Sequence, residues 1–410
     1  MGNTSSNSTT THSKTSEIDA QQKTKIYEQI LYLLSQSCTD DQFPLNIFHQ
    51  KADISTHYRI IEIVSTPRQS DEFSNLLVKL YWNNRPTISR DDVTKLIHDC
   101  CMFDIKQILA ENGHTFHSNM IDNDCFTALT NSISTSANSQ MEQEEFYHWV
   151  RVQFPALFYG LELWLRKHAT STESIKGSAT NRTLMQMNNI LNPTWVWLLT
   201  HQLPISYLSA DNSCTNLFDR MSSVLHGRMW DHLYNSHQDG ASLNRFQHHI
   251  FGYKASLIML FEVSDGYLFC LCCDEEFRES PKYFGGIQTC LLQLKPVFKL
   301  VLEGPHTIFM NTKLRSMSTL GLCVGRDHSH TFLNIDEDFF NVKHINGDGR
   351  LVAIDVWGVG GKKSAEEQQD LRHWEAKQVE KSRKVKRSYE EEEAVLNMAG
   401  IETRHNKDQF

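Results

Sequence analysis

Two different rhythms of apolar residues run along this chain. In the first half the period is that of a helix: Ile26, Ile30, Leu33 and Leu34 fall at i, i+4, i+7 and i+8, one face of a helical cylinder. Ser89 precedes "RDDVTKLIHDCC" as an N-cap with Asp92 three residues on, and Val93, Leu96, Ile97 and Cys100 form the buried stripe. "EEFYHWVRVQFPALFYGLELWLRKHA" predicts two apolar helices broken near Pro155, whose ring cannot continue the backbone ladder.

Beyond the small, polar stretch 169–183 the period changes to that of strands. "KASLIMLFEVSDGYLFCLCCDEEF" holds two apolar runs around Ser264-Asp265-Gly266, and Asp-Gly predicts a tight hairpin. Both faces of these strands are apolar, which places them inside a layered domain. Further strands are predicted at "TCLLQLKP", at "FKLVLEG", over residues 328–335 and at "LVAIDVW". The fold class is α+β. The expected order is an arm at 1–23, a helical domain at 24–168, a linker at 169–189, a β-rich domain at 190–361, and a C-terminal helix and tail at 362–410.

That helix is expected from "SAEEQQDLRHWEAKQVEKSRKVKRSYEEEEAVLNMAG", with a capping box at Ser364 and Glu367 and a C-cap at Gly400. Continuous, it would be about 54 Å long. Its apolar positions, among them Leu371, Trp374, Val385 and Tyr389, are too sparse for a bundle core, so the helix is either solvated or completed by a partner. Lys381, Arg383, Lys384, Lys386 and Arg387 form a basic cluster, followed by the acids Glu390 to Glu393. Three readings are open: a solvated or partner-binding face, a contact with anionic lipid, or a nuclear-import or nucleic-acid patch. The adjacent acids repel phosphates, which ranks nucleic acid last.

The totals narrow the class. With 410 residues the chain can bury a large core, and a formal net charge of -9 gives no global attraction for nucleic acid. The ten cysteines follow no disulfide-framework spacing, which predicts a reducing compartment. No apolar run approaches membrane-spanning length, and no hydrophobic leader is seen. "MGNTSS" matches the N-myristoylation pattern, with Gly2 as acceptor and Ser6 as the hydroxyl residue. One acyl chain binds membranes marginally, so a second contact is required.

Candidate chemistry is thin. In "LVAIDVWGVGGKKS" neither lysine register gives the glycine spacing of a phosphate loop. "MIDNDCF" has two acids at i, i+2 without the glycine or the terminal glutamate that a calcium loop needs. Cys270, Cys272 and Cys273 could be redox-active in an oxidation-resistance enzyme, but strand alternation buries the first two together, where thiols are inert. His328 and His330 lack the company of a zinc site. Asp355, on a core strand, needs hydrogen-bond donors, and backbone N–H groups of a neighbouring loop are expected; a catalytic role is the alternative. Leu351, Ala353, Asp355 and Trp357 should share one side of that strand, with Val352, Ile354 and Val356 on the other. No catalytic residue, cofactor or metal is predicted.

Residues of about 190 to 361 resemble the TLDc domain. "MWDHLYNSHQDGASLNRF" is similar to its opening signature, through Trp230, Leu233, Tyr234, Ser236, Gly240 and Ser242. "SPKYFGGIQTCLLQLKPVF" resembles its middle segment, and "IDVWG" its closing strand, through Asp355, Val356, Trp357 and Gly358. With Met-Gly-Asn at the start, EF-hand-like helices and "VLNMAGIETRH" in the tail, the chain resembles the N-myristoylated, MTOR-associated lysosomal branch and its nematode EAK relatives. It departs in having Asp355 for the usual glutamate, fewer glycines in "LGLCVGRD", and a shorter connection from Phe339 to Leu351. The resemblance implies an antiparallel β-sandwich with peripheral helices behind a degenerate EF-hand-like domain, and no enzymatic chemistry. It further implies an adaptor that binds the vacuolar-type proton ATPase and takes part in MTOR signalling. The place implied is the cytoplasmic face of the lysosomal membrane, with cytoplasmic and plasma-membrane pools. Leu371, Trp374, Lys381, Arg383, Lys384 and Val385 are the expected partner-binding residues, and Gly2 the lipidation site.

Overall fold

The computed structural model describes residues 70–82, 85–133, 140–170, 184, 190–208, 216–312 and 320–398. The arm 1–23 with Gly2, the stripe Ile26 to Leu34, nearly all of the linker and Gly400 lie outside the described residues.

Among the described residues the helical half comprises α1 (Ser70–Trp82), β1 (Thr87–Ser89), α2 (Arg90–Glu111), α3 (Asn123–Ile133), β2 (Gln140–Glu142), α4 (Gln143–Val152) and α5 (Tyr159–Thr170). β1 and β2 pair antiparallel with Ile88 opposite Met141, so two helix–strand–helix units are joined at their loops. Ser89 caps α2 as its sequence requires, its hydroxyl accepting from the Asp92 N–H at 3.1 Å. The chain breaks between α4 and α5 around Pro155, as the ring demands. α5 runs to Thr170, into the stretch read as linker.

Next come α6 (Pro193–Gln202) and α7 (Leu217–Leu225), then β3 (Asp231–Asn235), the short α8 (Ser236–Asp239) and α9 (Leu243–Ile250). The strands β4 (Leu257–Val263), β5 (Leu268–Cys273), β6 (Cys290–Lys295), β7 (Lys299–Glu303), β8 (Ile308–Asn311), β9 (Gly321–Gly325), β10 (Thr331–Ile335), β11 (Asn341–His344) and β12 (Gly347–Gly358) follow. The chain then enters α10 (Gly361–Met398). The β order is β7-β6-β5-β4-β12-β11-β10-β9-β8, every pair antiparallel, with β3 also on β12. The molecule is α+β around a large antiparallel sheet. β4 and β5 turn at Gly266, whose φ of 89° suits the Asp-Gly hairpin. The strand predicted over 328–335 begins at Thr331 rather than 328, because Asp327 folds residues 327–330 into a turn by accepting from the Ser329 and His330 N–H groups.

β12 holds the two ends of this sheet together. Its first residues pair with β11 and its last with β4 and β3. The short connection after Phe339 is thus a hairpin that leads straight into the central strand. One face of β4, β5 and β6 packs with β8 to β11 through Met259, Phe261, Leu271, Met310, Val324 and Leu333. Their other face, carrying Ile258, Leu260, Cys270, Cys272 and Leu292, shares a core with Trp195, Trp197, Phe126 and Phe154 of the helical half. Ala353 and Trp357 point to the helical side, and Ile354 and Val356 to the other, as alternation requires. Leu351 departs from that pattern. A bulge between Leu351 and Ala353 advances β12 by an extra residue against Val263 and Glu262, so Leu351 joins the opposite face and Val352 is left exposed.

Polar contacts fasten the same boundary. Lys295 reaches Asp124 at 2.9 Å and Asp122 at 3.4 Å while lying over the Trp195 ring, and Trp195 donates to Asp122 at 2.7 Å. The two acids weighed as calcium ligands therefore hold a lysine. The Phe298 N–H donates to the Ala128 carbonyl, so the β6–β7 turn is stitched to α3. Partial burial works against the Lys295 charge, but the two carboxylates prevail and raise its pKa.

Candidate functional site

The end of β12 gathers the residues of the opening and closing signatures. Asp355 is fully buried, and three side chains donate to it: Trp357 Nε1 at 2.7 Å, the His232 ring at 3.0 Å and Asn235 Nδ2 at 3.3 Å. The loop N–H donors expected from the sequence are not these partners. β3 pairs directly with β12, which brings His232 and Asn235 onto Asp355 from the neighbouring strand. The His232 ring also packs on Trp357, with ring centres 4.6 Å apart. Asn235 uses its carbonyl oxygen to cap α8 through the His237 and Gln238 N–H groups.

The other signature residues tie this corner down. Trp230 donates to the Tyr207 carbonyl at 2.8 Å, and Tyr234 donates to the Gly240 carbonyl at 2.8 Å. Gly240 has φ 88°, a left-handed conformation that frees its carbonyl for that bond and favours glycine. Ser236 accepts from the Ile354 N–H at 2.9 Å. Gly358 packs flat on Tyr253: a Cβ there would stand about 2.5 Å from the phenol oxygen. The Tyr253 hydroxyl also accepts from the Gly360 N–H at 2.7 Å. The glycine-rich stretch is therefore a close-packed exit from the sheet.

That exit launches α10. The helix begins at Gly361, three residues before the predicted cap, and Ser364 donates back to the Gly360 carbonyl at 3.3 Å instead of capping. Its root is seated on β3 and α9. Gln368 is buried and donates to the His249 and Phe251 carbonyls, each at 3.0 Å, and Leu371 covers Gly252. Past Arg372 no residue of α10 with a described side chain is buried. Residues 373–398 extend about 39 Å at 1.5 Å per residue. Trp374 is 58% exposed, and Val379, Val395 and Met398 are exposed as well. Lys381, Arg383 and Lys384 face solvent, with Lys384 paired to Glu380 at 2.9 Å. Val385 lies within the helix, its side chain outside the described set. Leu371 is thus separated from the other five expected partner-binding residues: it is docked, and Trp374 onward stands clear.

The hairpin cysteines are all buried. Burial pushes the Cys272 thiol well up, and the Cys273 thiol up to about 12. Cys270 and Cys272 lie 3.7 Å apart at sulfur. Such thiols are poor nucleophiles at neutral pH, which removes support from the redox alternative. His328 packs on Phe309 and Tyr283, and His330 pairs with Asp327 at 2.9 Å. Among the described residues no group of three or more His, Cys, Asp or Glu is placed to hold a metal ion, and no helix is long and apolar enough to cross a membrane.

Sequence reasoning missed a concavity. A groove of about 600 Å³ runs along β7, between Gln153 and Gln202 of the helical half and the β5–β6 connection at Ile287 and Gln288. Its residues come from three separate segments, 152–153, 202–204 and 287–303, so no local signal marks it.

No curated protein matches the chain. Residues 188–349, spanning α6 to the start of β12, match the family model of the TLDc domain, and the chain carries that domain.

Proposed function

We propose that this chain is a non-enzymatic, membrane-tethered adaptor whose TLDc domain docks on the vacuolar-type proton ATPase at lysosomes, in MTOR-type signalling. The carrying observation is α10: a rigidly rooted helix with some 26 residues standing off the body and Trp374 bare at its base. A helix without a core of its own is either solvated or completed by a partner, and the bare Trp374 favours the partner. The acyl chain at Gly2 supplies a weak membrane grip, and two weak grips on one chain raise avidity by about 10² to 10⁴. The paired helix–strand–helix units support an EF-hand-like pair; the loop 83–89, "NNRPTIS", holds no carboxylate for an ion.

Pull-down from lysosomal membranes tests this reading. Full-length protein, Gly2→Ala, and a Trp374→Ala/Val379→Ala double variant are compared. Pump subunits should be recovered with the first and reduced with each of the others. Equal recovery in all three refutes the two-grip adaptor.

A further inference from the structure

The groove beside β7 is apolar where it is deep. Its floor is Cys290, Leu292 and Phe298, each more than nine-tenths buried, and its walls include Val152, Ile287 and Leu300, which are 60%, 81% and 50% exposed. Apolar side chains from α4, the β5–β6 connection, β6 and β7 thus line one concavity of about 600 Å³, within the size range of small-molecule sites. The strand geometry sets this up. β7 pairs Glu303 with Cys290 and Leu300 with Leu292, and the extra residue Val301 between them turns both Leu300 and Glu303 to the side of the floor. The same bulge interrupts the ladder of an outermost strand, a device that discourages a further strand from joining. The fitting occupant is therefore one held by apolar area, with no need of backbone hydrogen bonds.

We propose that this groove stows the myristoyl chain of Gly2, in equilibrium with its membrane-inserted state; the inference rests on the acylation of Gly2 in the reading above. The charges of the groove, Lys299 and Glu303, balance, so it offers no net attraction for the carboxylate of a free fatty acid, whereas the amide that joins an acyl chain to Gly2 carries no charge. The path of the chain agrees. Ser74, early in α1, shares a small cleft with Val150, Arg151 and Pro155, so the polypeptide enters the described body beside the end of α4 that supplies Val152 and Gln153 to the groove. Gly2 lies far upstream of Ser70, which leaves chain enough to turn back on that entry point. Stowing makes the acyl grip conditional. With about nine chains in ten stowed, apparent membrane affinity falls about tenfold below the ~10⁴ M⁻¹ of a free myristoyl chain.

The test uses the full chain made together with an N-myristoyltransferase, its acylation checked by mass. In hydrogen exchange without lipid, amides of 287–303 should be slower in the acylated than in the unmodified wild type. On phosphatidylcholine vesicles acylated Leu300→Glu should bind about tenfold more tightly than acylated wild type, and Gly2→Ala should not bind. Leu300 is half exposed, so the variant should keep its fold, which an unchanged urea midpoint verifies. The proposal is overturned by exchange that is the same with and without the acyl group, or by wild type that binds vesicles as tightly as the groove variant. Protection that appears only on adding free myristate, equally in both forms, overturns it too and assigns the groove to a fatty acid. Pump recovery does not enter the comparison, so failure of the adaptor reading leaves the result standing; a Gly2 that the transferase does not modify removes both.

Discussion

Replacing Asp104 with asparagine should change how stability depends on pH more than it changes stability itself. Asp104 of α2 accepts from Trp197 Nε1 at 2.9 Å and lies 3.9 Å from the His201 ring, and all three are buried in the core shared by helices and sheet. Burial raises Asp104 from 3.8 to about 7, against the pull of the Trp197 hydrogen bond, and lowers His201 from 6.5 to about 4. The signs are opposite. Below about pH 4 the carboxyl is protonated folded and unfolded, and its burial is free of electrostatic cost. As pH climbs toward 7 the unfolded chain releases a proton that the fold retains, and stability falls by about 4 kcal/mol. His201 is neutral in both states above its ordinary 6.5; below that the unfolded chain takes a proton the fold refuses, so stability falls toward pH 4 by about 3 kcal/mol. Over that window the two slopes nearly cancel. Asparagine keeps an acceptor for Trp197 and removes one slope. Urea unfolding at about pH 4, 5, 6 and 7 should therefore show the variant gaining about 3 kcal/mol relative to wild type from the lowest pH to the highest. Parallel profiles would refute the assignment of a protonated, buried Asp104.

Two further outcomes follow from the same core. Lys295→Met should lower stability by about 1–3 kcal/mol, because Asp122 and Asp124 lose their cation, and the loss should appear as a shifted urea midpoint in a single transition. Two transitions would mean that helices and sheet do not share one cooperative core. Of the ten cysteines, eight are buried, so a thiol reagent should react rapidly with no more than Cys38 and Cys214 in the native protein and with all ten in denaturant. A third fast thiol would reopen the redox reading.

Local rules made the Ser89 cap, the break at Pro155 and the Asp-Gly hairpin legible, since each depends on residues within one turn of the chain. The apolar faces of β4 and β5 announced a buried layer, though not that helices such as α6 supply its cover. What escaped was fixed by distant partners. Two of the three donors to Asp355 sit 120 and 123 positions away, and the lysine that claims Asp124 sits 171 positions away. The bulge that turns Leu351 over answers to Val263 and leaves no mark in an alternating pattern. At Ser364 the capping motif was present, yet the tyrosine that fixes Gly360 let the helix start earlier. The groove beside β7 has the same origin: its walls belong to both halves of the molecule.

The union of β12 and α10 has a mechanical consequence. The lever arm is continuous with the strand that threads the middle of the sheet, so a load on the helix pulls β12 lengthwise against β4 and β3 at once. Rows of backbone bonds loaded along the strand must rupture together, whereas a helix tied on by side chains would peel away one contact at a time. A partner that grips the far end of α10 can therefore drag or tilt the entire β body without first stripping off its handle.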